Sequence, residues 1–392
     1  MKAKLISAAA LAALVILGAG CKKLPWRPVA GERIHFRAVS DFGKDPKSKT
    51  AYSGEYFSVE GYQNKFERID WVEGDDITIA YLSHTQGTNF IIASDDYKIT
   101  AVSNAGDEKS FATIAPTGGP YGVDGEGWGG NGLKWQDNET HQFYACYPGV
   151  SKDSDYVFEL GAEGIVAKVP FDYPATQVLT RSETDENVFL PDMKYAAMLH
   201  SDEEGISLPS GREKVINLSF SPHFTAFEFQ AAAKEGDSFT LNSFTLSSEN
   251  TFITGRFLWS MDPEDNNEWH DFAKEGATYK TASVDFTALN EGDPLPLTDS
   301  QPITFTVLVC CPDVAGRTNY LEDLTIIFNI NKDGAPVDRK LKLANNYGNY
   351  LSFRHNVKHR IKGLRIPLEI GPGSLWYEGV DAGSYTDLQW PE

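Results

Sequence analysis

Apolar residues recur at every second position in short runs from one end of this chain to the other. Leu324, Ile326, Phe328 and Ile330 do so in one run, and Ile77, Ile79 and Tyr81 in another, just after the turn Glu73-Gly74-Asp75. Period-two alternation sends successive side chains to opposite faces of an extended strand. Val215–Phe220, Phe224–Phe229, Phe239–Leu246 and Ile303–Val309 read as strands too, as do Tyr97–Val102, Ser110–Ile114, Leu133–Trp135 and His141–Pro148. No helical periodicity lasts longer than about three turns, which sets the chain apart from α/β enzymes. An all-β fold is expected. Aromatic residues make up 12% of the chain, enough to fill sandwich interiors and leave some rings exposed.

The first of these strands is Arg33–Ser40. Ile34, Phe36 and Ala38 fall on one face and Arg33, His35 and Arg37 on the other. That is the pattern of a half-buried strand. A strand so near the start of a folded body has two possible fates. It completes the sheet permanently, or it leaves and is replaced by a strand from another copy.

What precedes it is a secretion signal. Lys2 and Lys4 form the charged start, Leu5–Leu17 the apolar stretch, and Gly18-Ala19-Gly20 the small residues. Cys21 follows at once, as at a lipobox, with cleavage between Gly20 and Cys21 and acylation of the cysteine. Diacylglyceryl and palmitate-type N-acyl chains together anchor stably to a membrane. Removing Met1–Gly20, which holds two lysines and no acid, takes the formal charge from −20 to −22. So acidic a chain is not expected to bind nucleic acid, because a phosphate backbone needs clustered cations.

Few residues carry a chemical signature. Gly118–Gly132 contains eight glycines in fifteen residues but no Gly-Lys-Ser/Thr ending. It reads as a long mobile surface loop, or more sharply as an adhesive tip loop carrying Trp128. Asp262–Glu268 is oxygen-rich without the spacing of a calcium loop. His355 and His359 lie four apart in a segment read as β, where that spacing builds no two-histidine metal site. Metal-protease, nucleophile-elbow and paired Cys-x-x-Cys motifs are absent from the sequence. The expectation is a protein without catalytic residues, metal or cofactor. Cys310 and Cys311 end an apolar run and read as small buried hydrophobes; pairing of Cys146 with one of them is possible but not deducible.

Arg339–Ile366 holds eight Lys or Arg and no Asp or Glu. Lys340 and Lys342 alternate with Leu341 and Leu343, as on an edge strand with a charged outer face. The segment is expected to be a solvated face, or else a basic docking surface for an acidic neighbour. The tail Gly371–Glu392 is acidic and carries Trp376 and Trp390.

Several stretches in fixed order point to one family. They are Tyr52-Ser53-Gly54; Arg68-Ile-Asp-Trp-Val-Glu-Gly-Asp-Asp-Ile77; Gly132-Leu-Lys-Trp135; Phe143-Tyr-Ala-Cys-Tyr-Pro148; Pro174-Ala-Thr-Gln177; Tyr195-Ala-Ala-Met198; and Leu218-Ser-Phe220 followed by Phe224–Phe229. Together they resemble the fimbrillin family of lipoprotein pilins, the subunits of type V pili. The resemblance implies two tandem β-sandwich domains of transthyretin-like or Greek-key type. The expected division is signal 1–20, tether 21–31, N-terminal domain 32–178 and C-terminal domain 179–392. It implies export as an outer-membrane lipoprotein to the cell surface and the fimbrium, and assembly with other pilin subunits by donor-strand exchange. In such pilins an arginine-specific protease removes the first strand, and another subunit, usually through its C-terminal region, refills the groove.

This chain departs from that pattern. The linker after the first strand offers Lys44, Lys47 and Lys49 but no arginine, and Arg33 and Arg37 lie within the strand. Candidate cuts are therefore Arg37 and Lys49. A subunit that keeps its strand and lipid would be an anchor or a terminating subunit. The competing class is a monomeric surface lipoprotein that binds glycans through Trp128, Trp376 or Trp390 as stacking platforms. In either reading the surface ligand is not written in the sequence.

Overall fold

The computed structural model describes residues 33–40, 52–58, 65–69, 71–85, 89–105, 109–117, 131–136, 140–149, 157–160, 165–201, 206–207, 215–261, 269–270, 279–310, 320–343, 351–354, 357–369 and 386–387. Among these the chain is all-β. Its helical pieces are one 3-10 turn, Met193–Tyr195, and one α-turn, Phe286–Leu289, whose N-cap Asp285 accepts a hydrogen bond from the Thr287 N–H.

A nine-stranded sheet runs in the order Val215–Ser219, His35–Ser40, Lys109–Pro116, Asn89–Ala105, Asp76–Thr85, Thr140–Tyr147, Met198–Ser201 and Ser221–Pro222, with Ile206–Ser207 also paired to Thr140–Tyr147. Alternation decides which residues point inward. Ile77, Ile79, Tyr81, Phe143 and Ala145 are buried in the first core. Trp71 packs edge-on against Tyr147 and Phe220, with ring centroids 5.4 and 4.9 Å away. Segments on both sides of residue 178 supply this core, since Ala196–Leu199, Ile216, Leu218 and Phe220 belong to it.

The second core lies between a six-stranded sheet, centred on Ser238–Ser248 and Leu324–Lys332, and an eight-stranded one, centred on Ile303–Val309 and Thr225–Ala233. Phe229 and Phe305 of the second sheet meet Phe244 of the first, with centroids 4.7 and 4.8 Å apart. The two cores share strands. Phe227 and Phe229 face the second core, while Ala226 and Leu308, on the other side of the same sheet, belong to the first.

One segment differs from the expectation. Leu133–Trp135 alternates in burial but forms no strand, only a single bridge between Lys134 and Arg33. Its Leu133 N–H goes to the Tyr97 hydroxyl (2.7 Å) instead of a ladder. Pro170 lies inside the strand Ile165–Tyr173, opposite Leu258. The strand on the other flank, Val157–Leu160, pairs no further than Lys168, so the missing N–H of Pro170 costs no ladder bond there.

The basic segment is not a uniformly solvated face. Ala335–Lys342 is the edge of the six-stranded sheet with Lys340 and Lys342 exposed, as the alternation implies. Arg339, just before Lys340, is buried and donates from Nε to the Pro367 carbonyl (2.9 Å) and from Nη2 to the Leu368 carbonyl. Lys358 is 1% exposed; its Nζ lies 2.7 Å from Glu228 Oε2, and Arg360 Nε lies 3.0 Å from Glu228 Oε1. Parallel pairing of Thr225–Ala233 with Val357–Ile366 puts Glu228 directly beside Arg360. Three of the eight cations are thus spent inside the protein.

Removing one member of a buried ion pair leaves its partner charged and unsolvated, at a cost of about 3–5 kcal/mol. Glu228→Ala should destabilise the fold by that order in urea denaturation. Glu228→Met combined with Lys358→Met should cost clearly less than the single change.

Candidate functional site

The first strand, His35–Ser40, is held on both sides. It pairs antiparallel with Lys109–Pro116, setting Arg37 opposite Thr113 and Ala38 opposite Ala112. It pairs parallel with Val215–Ser219, setting Phe36 beside Ile216 and Ala38 beside Leu218. Among the described residues, Val215–Ser219 reaches the sheet path only through it.

Ile34, Phe36 and Ala38 are 1%, 3% and 0% exposed, whereas Arg33 and His35 are exposed. The Phe36 ring sits edge-on between Tyr97 (5.4 Å) and Phe143 (5.3 Å). Ala38 lies between Ala112 and Leu218, both fully buried, so this position has room for a small side chain. Burying Ile and Phe is worth on the order of 2 kcal/mol each.

A belt of residues fixes the start of the strand. The Ile34 N–H donates to the Leu133 carbonyl (2.8 Å), the Leu133 N–H to the Tyr97 hydroxyl, and the Gly132 N–H to Asp95 Oδ2 (2.7 Å). Gly132 has φ +84°, and a Cβ there would meet Pro116 Cγ at 3.2 Å, so glycine alone fits without strain. Further along, the Gln136 N–H donates to His141 Nε2 (3.2 Å), and Gln136 Nε2 donates to the Tyr81 hydroxyl (2.8 Å). Burial, opposed only in part by the Leu133 bond, pushes the Tyr97 hydroxyl far above its ordinary titration range.

Arg37 is half-buried within the strand, with ladder partners on both flanks. A protease reads an extended backbone with free edges, so a cut at Arg37 requires the strand to leave the sheet first. Gly20, Cys21, Lys49, Cys311, Trp128, Trp376, Trp390 and the run Asp262–Glu268 lie outside the described residues. Cys146 and Cys310 are both buried in the first core. His359 is a core aromatic, stacked on Phe227 (5.3 Å) and edge-on to Phe353 (5.0 Å). Sequence reading missed Tyr97 and Phe143 as walls of the groove and Val215–Ser219 as its second flank. The alternation of each was visible, but its strand neighbour was not.

No protein-family model matches the chain, and no curated protein matches it. Among solved structures, it is similar to a proposed cell adhesion protein from Bacteroides ovatus ATCC 8483, at 9% identity and a TM-score of 0.44, with 93% of this chain and 100% of that one covered. A proposed cell adhesion protein from Bacteroides uniformis ATCC 8492 matches at 14% identity and a TM-score of 0.39, covering 84% and 91%. The tip fimbrial protein Mfa3 from Porphyromonas gingivalis, truncated at its C-terminus, matches at 9% identity and a TM-score of 0.29, covering 91% and 100%.

The Tyr97 shift has a defined sign. A group whose folded value is raised contributes stability that is present below its unfolded value, about 10 for tyrosine, and lost as pH rises through the folded value. Urea midpoints should therefore fall as pH rises above about 10, and fall less in Tyr97→Phe. Equal falls in the two proteins would exclude Tyr97 as their source.

Proposed function

We propose that this chain is a fimbrial subunit that assembles by donor-strand exchange and supports cell-surface adhesion. The observation that carries the reading is a near-terminal strand that is paired on both flanks and supplies three buried side chains. Loss of such a strand opens two backbone edges and a row of apolar pockets at once. Unpaired edges and bared apolar surface are unfavourable in water, and an extended peptide of another subunit satisfies both. Resemblance of the sequence to lipoprotein pilins agrees with this and supplies the anchor: Cys21, acylated after cleavage behind Gly20, would hold the precursor at the outer membrane.

The position of Arg37 favours a minor subunit, at the tip or as the anchor. No arginine stands between Arg37 and Arg68, and Arg37 is locked in two ladders. An arginine-specific protease therefore has no ready site just after the strand. Lys49 remains for a protease of other specificity. The role is structural, with other pilin subunits as partners and no chemical step assigned to any residue.

The reading is tested by a specific protease site inserted between Asp41 and Ser48 of the otherwise intact chain. Before cutting, the protein should size as a monomer. After cutting it should form oligomers that grow with concentration and run as a ladder on gels without boiling. A cut product that stays monomeric at high concentration would contradict strand exchange. Anchoring is tested separately: Cys21→Ala should abolish incorporation of labelled fatty acid, and persistent labelling would refute the lipid assignment.

A further inference from the structure

Residues 132–136 touch the first strand, the sheet and the end of the glycine-rich segment at once. They form no ladder, only the bridge from Lys134 to Arg33. Beyond the burial of Leu133 and Trp135, their hold on the sheet is a series of single hydrogen bonds. The Leu133 carbonyl accepts the Ile34 N–H (2.8 Å), the Leu133 N–H donates to the Tyr97 hydroxyl (2.7 Å), and the Gly132 N–H donates to Asp95 Oδ2 (2.7 Å). A segment held bond by bond opens more readily than one held in a ladder.

The first strand enters this hold by two routes. One is the backbone, through the Ile34 N–H. The other is a row of rings: Phe36 stands against Tyr97 (5.4 Å) and Phe143 (5.3 Å), and Phe143 stands against Trp135 (6.1 Å). Emptying the groove therefore takes a donor from the Leu133 carbonyl and a wall from Tyr97, the residue that anchors the Leu133 N–H. Gly132 lies where the strands meet, since a Cβ there would come within 3.4 Å of Pro116, Arg33 and Tyr97 alike.

The segment 118–131 starts after Thr117 and ends before Gly132, and both of these residues rest on one dipeptide. The Thr117 N–H donates to the Asp96 carbonyl (3.0 Å) and the Gly132 N–H to the Asp95 carboxylate. Asp96 is itself fixed, with Oδ1 accepting from Thr78 Oγ1 (2.9 Å). Thr117 follows Lys109–Pro116, which is paired to Asn89–Ala105 independently of the first strand. Gly132 has no such ladder behind it. We propose that residues 132–136 couple the filling of the groove to the base of the segment 118–131. A strand in the groove holds Gly132 against Asp95; an empty groove releases Gly132 while Thr117 stays fixed. This rests on the strand-exchange reading above. Because the Leu133 carbonyl asks only for a backbone N–H, it registers any strand that extends as far as the Ile34 position. Assembly thereby gains a route to the segment whose sequence carries Trp128.

The test uses the full chain with the specific site between Asp41 and Ser48, cut and freed of its N-terminal fragment. Amide exchange is read at Gly132, Leu133 and Thr117, and along Val215–Ser219 as the measure of groove filling. Emptying the groove should expose Gly132 and Leu133 and leave Thr117 protected. A synthetic peptide of residues 33–40 should restore both Val215–Ser219 and the two exposed amides. The same peptide with an ester in place of the Arg33–Ile34 amide fills the groove without the N–H. It should restore Val215–Ser219 but leave Leu133 exchanging about tenfold faster than with the all-amide peptide. If Gly132 and Leu133 stay protected in the emptied chain, or the ester restores them fully, the coupling is wrong while strand exchange stands. If Thr117 loses protection together with them, the subunit opens as a whole and the coupling is again excluded. If the all-amide peptide fails to restore Val215–Ser219, the groove does not exchange, and both readings fall.

Discussion

A strand inside a sheet satisfies hydrogen-bonding groups on two neighbours at once, and His35–Ser40 does this for Lys109–Pro116 and Val215–Ser219. These neighbours come from chain segments about a hundred residues apart, and among the described residues nothing else joins them in the sheet. The same strand carries Ile34, Phe36 and Ala38 into the first core. Backbone pairing and side-chain burial therefore rise and fall together at this one place. A part so demanding of its neighbours cannot simply be lost. It is kept, or it is replaced by something with the same alternation.

Strand sharing makes the rest of the molecule sensitive to this position. Alternation along Thr225–Ala233 sends Phe227 and Phe229 to one core, and Ala226 on the opposite face to the other. Glu228 on that opposite face is satisfied by Lys358 and Arg360. Gln177 bridges similarly, its Oε1 accepting the Leu308 N–H (2.9 Å) and its Nε2 donating to the Leu308 carbonyl. Loss or replacement of the first strand would thus act on a core that also draws on strands of the second, through Ala226 and Leu308.

Most strands were legible in the sequence because period two is a local property. Asp76–Thr85, Ile303–Val309 and Leu324–Lys332 follow from Ile77, Ile79 and Tyr81, from Ile303–Val309 itself, and from Leu324–Ile330. The Lys340/Lys342 edge was legible for the same reason. Pairing was not, because the partner of a strand depends on topology: nothing near Arg33 announces Val215. The fate of the cations was hidden likewise. Lys358 and Arg360 look solvated until Glu228, more than a hundred residues away, is placed beside them. Leu133–Trp135 misled because its alternation buries side chains without building a ladder, its N–H being taken by a tyrosine hydroxyl.

Amide hydrogen exchange along the two flanking strands reports most directly on whether the first strand is a replaceable part. In the intact chain, Lys109–Pro116 and Val215–Ser219 should be protected. Once the strand is cut free and washed away, protection should collapse in Val215–Ser219 and at those amides of Lys109–Pro116 that face the lost strand, while amides facing Asn89–Ala105 stay protected, and it should return in the assembled oligomer. Protection that survives removal of the strand would mean that the sheet closes without it, and would contradict the strand's role as a replaceable part.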